Sequence, residues 1–125
     1  MNIIKNKENE DFKNLNYGIL KIQAFTAYHS VPLENVKVRV SCKINNEIKN
    51  FFNGITNQDG VIDNIKLPAP SIENEFQNKP NYIVYDIEAK HEKYKTTKLY
   101  KAEIYAGIKS IQYIKMTPNG SAINE

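Results

Sequence analysis

The sequence predicts an all-β domain, a seven- or eight-stranded antiparallel Greek-key sandwich. Three observations predict it. Apolar residues recur with period two along most of the chain, turn-forming residues punctuate those runs, and no stretch has the spacing of a helix of any length. At 125 residues the chain fits one domain. A domain of this size buries roughly two-thirds of its unfolded surface and needs no disulfide or metal to hold it together.

Each element follows from its residues. Residues 1–16 are polar, Asn- and Lys-rich and aperiodic, and read as a flexible arm; 119–125 read as a flexible tail; the sandwich spans 17–118. Tyr17–Ala27 is a strand with Leu20, Ile22 and Ala24 inward and Lys21 and Gln23 outward. Val36–Ile44 alternates most cleanly, with Val36, Val38, Val40, Cys42 and Ile44 on one face. Cys42 is expected to be buried and inert, because a free cysteine packs as a small hydrophobe. Asn45 and Asn46 then make a tight turn, since Asn tolerates positive φ. Glu47–Thr56 forms a third strand around Phe51 and Phe52. Asn57–Gly60 turns the chain into a short strand, Val61–Leu67. Pro68 and Pro70 end that strand, because proline cannot donate to a ladder.

A polar, Pro-bounded connection leads to Asn81. Tyr82–Lys90 sets Ile83, Tyr85, Ile87 and Ala89 against Tyr82, Val84, Asp86 and Glu88. Tyr94–Ala106 is one or two strands, and Ile108–Thr117 closes the domain. There Ile111, Ile114 and Met116 do not share one parity, so a bulge near Gln112 is expected.

Composition excludes several classes. Apolar residues at 41% and charged residues at 25% are globular values, against wholesale disorder. The formal charge is only +3, and Arg39 is the sole arginine. Nucleic-acid binders concentrate the planar guanidinium that forks onto phosphates and base edges, so nucleic acid is not an expected partner. A single cysteine forbids an intramolecular disulfide. The N-terminus lacks the apolar core of a signal peptide and no run is long enough to span a membrane, so cytoplasmic synthesis is expected.

The order of segments resembles the carboxypeptidase regulatory-like, or transthyretin (prealbumin)-like, domains. Gly18–Ile22 opens a strand, Val31–Val36 carries Pro32 into the next, and Thr56–Gly60 turns a hairpin through Asp59 and Gly60. More specific are Leu67–Ser71 with Pro68 and Pro70, Pro80–Asp86 with Tyr85, Tyr105–Gln112 with Gly107, and Met116–Pro118. Those segments are similar to the N-terminal domain of clostridial spore cortex-lytic enzymes and related peptidoglycan-binding proteins. The similarity covers about Tyr17 to Pro118. It departs at His91–Tyr94, where the family often has Gly before the aromatic. In the cortex-lytic enzymes the hydrolytic machinery lies downstream of this module. The resemblance therefore implies a stand-alone relative, or an excised pro-region, associated with the spore.

The residues match no catalytic constellation. His29 and His91 fall in separate loops, in no metal-ligand spacing. Hydroxyisourate hydrolases resemble transthyretin but end in Tyr-Arg-Gly-Ser, unlike this chain. Intradiol dioxygenases hold iron with two Tyr and two His, one His pair closely spaced, whereas His29 and His91 are far apart in sequence. Asp86 and Glu88 share a strand face but no cleft, as a glycosidase pair would need. The expectation is a chain that catalyses nothing and takes no cofactor or metal.

Binding leaves more to work with. Lys90, Lys93, Lys95, Lys98 and Lys101 form the most basic stretch. It suits an anionic cell-wall polymer or an acidic protein, or it protects a strand edge from sheet-to-sheet pairing. Tyr82 and Tyr113 are candidate contacts, since exposed aromatics stack on sugars and anchor interfaces. The leading reading is a non-enzymatic interaction or structural module of the spore envelope that binds a protein or cell-wall polymer. The alternative is a pro-domain that helps fold, or inhibits, a cortex peptidoglycan hydrolase. A dimer is an open possibility.

Overall fold

A computed structural model describes residues 16–28, 30–71 and 81–118, the side chains of Lys95 and Thr96 excepted. His29, Pro80, the tail 119–125 and nearly all of the expected arm lie outside the described residues. The seven strands are β1 (Tyr17–Thr26), β2 (Lys37–Ile44), β3 (Glu47–Ile55), β4 (Val61–Pro68), β5 (Tyr82–His91), β6 (Tyr94–Tyr105) and β7 (Lys109–Met116). They form a three-stranded sheet, β4-β1-β7, and a four-stranded sheet, β3-β2-β5-β6. The chain crosses between sheets four times, and only the β2–β3 and β5–β6 hairpins stay within one.

Turn chemistry sets the hairpins. Asn45 (φ 53°) and Asn46 (φ 67°) both take the left-handed conformation that a two-residue primed turn requires. At Asn57–Gly60 the Asn57 Oδ1 accepts from the Asp59 and Val61 amides at 2.9 and 3.0 Å. Gly60 sits at φ 75°, and a Cβ there would collide with the Ala24 carbonyl. No residue of the His91–Tyr94 turn has positive φ, so the missing glycine costs nothing. The His91 Nδ1 accepts the Lys93 amide there at 3.1 Å and closes the turn instead.

Alternation delivers the core. Leu20, Ile22, Ala24, Val36, Val38, Val40, Tyr85, Ile87, Ala89, Ile104, Ile114 and Met116 are buried between the sheets. Tyr85 ties the layers together: its hydroxyl on β5 donates to the Pro68 carbonyl on β4 at 2.6 Å, and its ring stands edge-on to Phe51 at 5.3 Å. Burial pushes its phenol well above the ordinary tyrosine range. Thr56 closes one end, with its Oγ1 donating to the Leu33 carbonyl at 2.8 Å and accepting the Val36 amide at 2.9 Å.

Three expectations need correction. β7 runs parallel to β1, in unbroken register from Ile19↔Lys109 to Thr26↔Met116, so the sandwich is not wholly antiparallel and no bulge occurs at Gln112. Ile111 breaks parity because it points outward and is half-exposed. The β2–β3 ladder shifts register between Val40 and Ser41, where Phe51 is the extra residue on β3, while β2 keeps unbroken register against β5. Cys42 packs against the core but is only half-buried, and Ile44 is exposed. Pro68 ends β4 as expected, as its last residue, paired with Tyr17 at the sheet edge, where a proline is tolerated.

Candidate functional site

Partners directly opposite across a ladder share a face, so the register defines the outer surface of the four-stranded sheet. Asn50, Ser41, Asp86 and Lys101 make one row across it, and Asn53, Arg39, Glu88 and Leu99 the next. Ile55, Lys37 and Lys90 make the third. The first two rows are charge-matched: Lys101 pairs with Asp86 at 2.6 Å and Arg39 with Glu88 at 3.6 Å.

The third row is not matched. Lys37 and Lys90 are directly opposite on adjacent strands, and neither has an ion-pair partner among the described residues. Like charges in that relation repel. They flank an open groove of about 520 Å³ that also takes in Arg39, Asn53, Ile55 and Glu88. The groove continues past Lys37 and Lys90 to His91, Glu92, Tyr94 and Thr97.

His91 is committed to structure. Its Nδ1 must be an acceptor, because the Lys93 amide donates to it; the ring proton is therefore on Nε2, which donates to the Glu34 carbonyl at 3.1 Å. Both nitrogens are used in hydrogen bonds, and neither is left to bind a metal. Among the described residues no three His, Cys, Asp or Glu side chains converge as a metal site. Among the described residues there is also no helix long and apolar enough to cross a membrane.

The sequence candidates are divided by the fold. Lys90 is the penultimate residue of β5, Lys93 sits in the turn, and the half-buried Lys98 lies on β6 opposite the buried Ala89. Lys95 is on β6, its side chain outside the described residues. The basic stretch is thus not one stripe. Tyr82, half-buried, packs on Tyr105 with ring centroids 5.3 Å apart on the four-stranded sheet. Tyr113 is on the other sheet, 54% exposed and edge-on to Phe25 at 6.3 Å. The two tyrosines do not share a surface. Sequence reasoning missed Lys37 and Arg39. Alternation marks both as outward, but only the β2–β5 register brings Lys37 to Lys90.

The cysteine offers no reactive centre. Cys42 Sγ lies 3.5 Å from the Val84 carbonyl. Burial, and then the nearby Asp86 charge, push its thiol up, away from the thiolate.

No protein-family model and no curated protein matches the sequence. Solved structures do match the fold. The Klebsiella pneumoniae 5-hydroxyisourate hydrolase superposes with a TM-score of 0.57 at 18% identity, over 82% of this chain and 92% of that one. The Bacillus anthracis TIE protein gives 0.57 at 19%, over 82% of this chain but only 17% of its own. An (S)-allantoin synthase gives 0.56 at 9%, over 91% of this chain and 45% of its own. These identities carry the fold alone. The hydrolase and the synthase overturn one expectation: enzymes share this architecture, so a chain that catalyses nothing cannot be read from it. The chain has the transthyretin-like β-sandwich fold.

Proposed function

We propose that this chain is an interaction module that binds an anionic partner on the outer face of its four-stranded sheet, centred on Lys37 and Lys90. One observation carries the reading. Two lysines stand opposite one another across the β2–β5 ladder and neither is in an ion pair among the described residues, while Arg39 with Glu88 and Lys101 with Asp86 are paired in the other two rows. Folding alone favours a carboxylate at one of those positions. A bound phosphate- or carboxylate-rich partner supplies the missing charge. The resemblance of Leu67–Ser71, Pro80–Asp86 and Tyr105–Gln112 to the cortex-lytic segments supports a spore-envelope setting for this binding as part of the proposal.

The test is the double variant Lys37→Gln/Lys90→Gln, measured against polyglutamate and against cell walls with and without their teichoic acid. The expected result is a unique combination: retention falls at least tenfold while the unfolding midpoint rises, because the repulsion is gone. Wild-type retention that is absent, or equal to that of the variant on every polyanion, sinks the reading.

A further inference from the structure

Every open sandwich has sheet edges whose backbone groups could pair with another chain. Here the four edge strands differ sharply. β4 is interrupted by Asn64 at φ 57° and ends on Pro68. On β7 the Lys115 amide donates to the Tyr100 hydroxyl at 3.1 Å, and the Tyr113 carbonyl accepts from Gln112 Nε2 at 2.9 Å. β6 carries Lys95, Lys98 and Lys101 along its length. β3 has none of these devices over its second half: Asn50–Ile55 holds no charge and no proline, and no described side chain caps its backbone.

The hydrogen-bond pattern says which groups are open. The Thr56 amide donates to the Val36 carbonyl at 3.0 Å, so the next pair, Lys37↔Ile55, is non-hydrogen-bonded and Val38↔Gly54 is hydrogen-bonded. Arg39↔Asn53 is then non-hydrogen-bonded again. The N–H and C=O groups of Asn53 and Ile55 therefore point away from β2, into the open edge. Ile55 and Ile48 on the same strand are 55% and 69% exposed.

The geometry points to strand addition at β3 by an extended acidic polypeptide segment. Backbone pairing with Asn53 and Ile55 supplies the ladder, and charge selects the occupant. Lys37, Lys43 and Lys49 are all exposed on β2 and β3 against the single carboxylate of Glu47, while Arg39 is paired with Glu88. An added strand lies about 10 Å, two strand spacings, from β2. Outward Glu or Asp side chains on it reach toward Lys37 and Lys43. A second copy of this chain would bring basic β2 toward basic β2 instead. This inference rests on the anionic-partner reading and names that partner as polypeptide rather than polymer.

The probe is a synthetic ten-residue peptide alternating Glu with Val, followed by fluorescence anisotropy and by amide hydrogen exchange. Binding is expected to slow exchange at Asn53 and Ile55 at least tenfold. Methylating alternate backbone nitrogens of the peptide, or the substitution Asn53→Pro, is expected to weaken binding at least tenfold; the methylated peptide reports even if the proline variant folds poorly. If neither change matters while Lys37→Gln/Lys90→Gln abolishes binding, the edge inference falls and the anionic reading stands. Binding of teichoic acid but not of the peptide has the same meaning. A concentration-dependent dimer lost in Asn53→Pro would hand the edge to a second copy. If neither peptide nor any polyanion binds, both readings fall.

Discussion

β7 and β3 are both edge strands, yet the molecule treats them differently. The β7 edge is tied back to its own structure by Tyr100 and Gln112, residues of facing and same strands. The β3 edge presents unsatisfied backbone beside a surplus of lysine. A blunted edge protects a monomer, and an open one invites a partner. The difference lies in two side-chain hydrogen bonds and the placement of charge, not in strand propensity.

The largest effect tests whether both edges hang on one anchored core. Tyr85→Ala removes a fully buried ring and its hydroxyl, and is expected to destabilise the domain by about 3–5 kcal/mol. Tyr85→Phe keeps the ring but leaves the Pro68 carbonyl without its donor, an expected loss of about 1–2 kcal/mol. Urea unfolding of the pair checks both. A Tyr85→Phe loss as large as that of Tyr85→Ala would mean the inter-sheet hydrogen bond, not the ring, does the anchoring.

Opening the protected edge is the sharper test. Tyr100→Phe frees the Lys115 amide at an expected cost of about 0.5–1.5 kcal/mol, and hydrogen exchange at Lys115 should quicken. If exchange there is unchanged, β7 is not guarded by Tyr100 and the contrast with β3 dissolves.

Smaller effects concern charge. The Asn64 backbone N–H and then the Lys109 ammonium, 3.3 Å away, hold the Asp63 carboxyl below its ordinary range. A folded-state value below the unfolded one adds stability above the unfolded pKa, and that contribution is lost as pH falls through the folded value. Asp63→Asn should therefore lower stability slightly at neutral pH, leave it unchanged at acid pH where Asp63 is already protonated, and so flatten the acid limb of a stability–pH curve. The Cys42 thiol works in the opposite sense. Its value is raised in the fold, so its stabilisation is present below the unfolded pKa and lost as pH rises through the folded one. Native protein at pH 8 should react with a thiol reagent more slowly than unfolded chain, and Asp86→Asn should narrow the gap.

Much of the scaffold was legible in the residues, for local reasons. The Asn45–Asn46 turn needs two left-handed residues, and Asn is among the few that comply. The inward set of β1 and β5 needs only alternation against a two-sided environment. Cys42 and Ile44 are less buried than alternation alone suggests because they lie beyond Ser41↔Asp86, the last β2–β5 pair, and no feature of Val36–Ile44 announces where that pairing ends. The candidate site was legible only in halves. Lys90 stood out within a lysine-rich stretch, whereas Lys37 looked like any solvated strand residue.

The sequence by itself determined that alternate residues would be buried, where the chain would turn, and that a lone cysteine could form no intramolecular cross-link. These depend on side chains and on neighbours a few positions away. The tertiary structure alone decided that β7 lies parallel to β1, that Tyr85 reaches Pro68 across the layers, and that Lys37 faces Lys90. Each joins residues far apart in the chain, through registers set by packing the whole sandwich, and no local pattern encodes a register between distant strands.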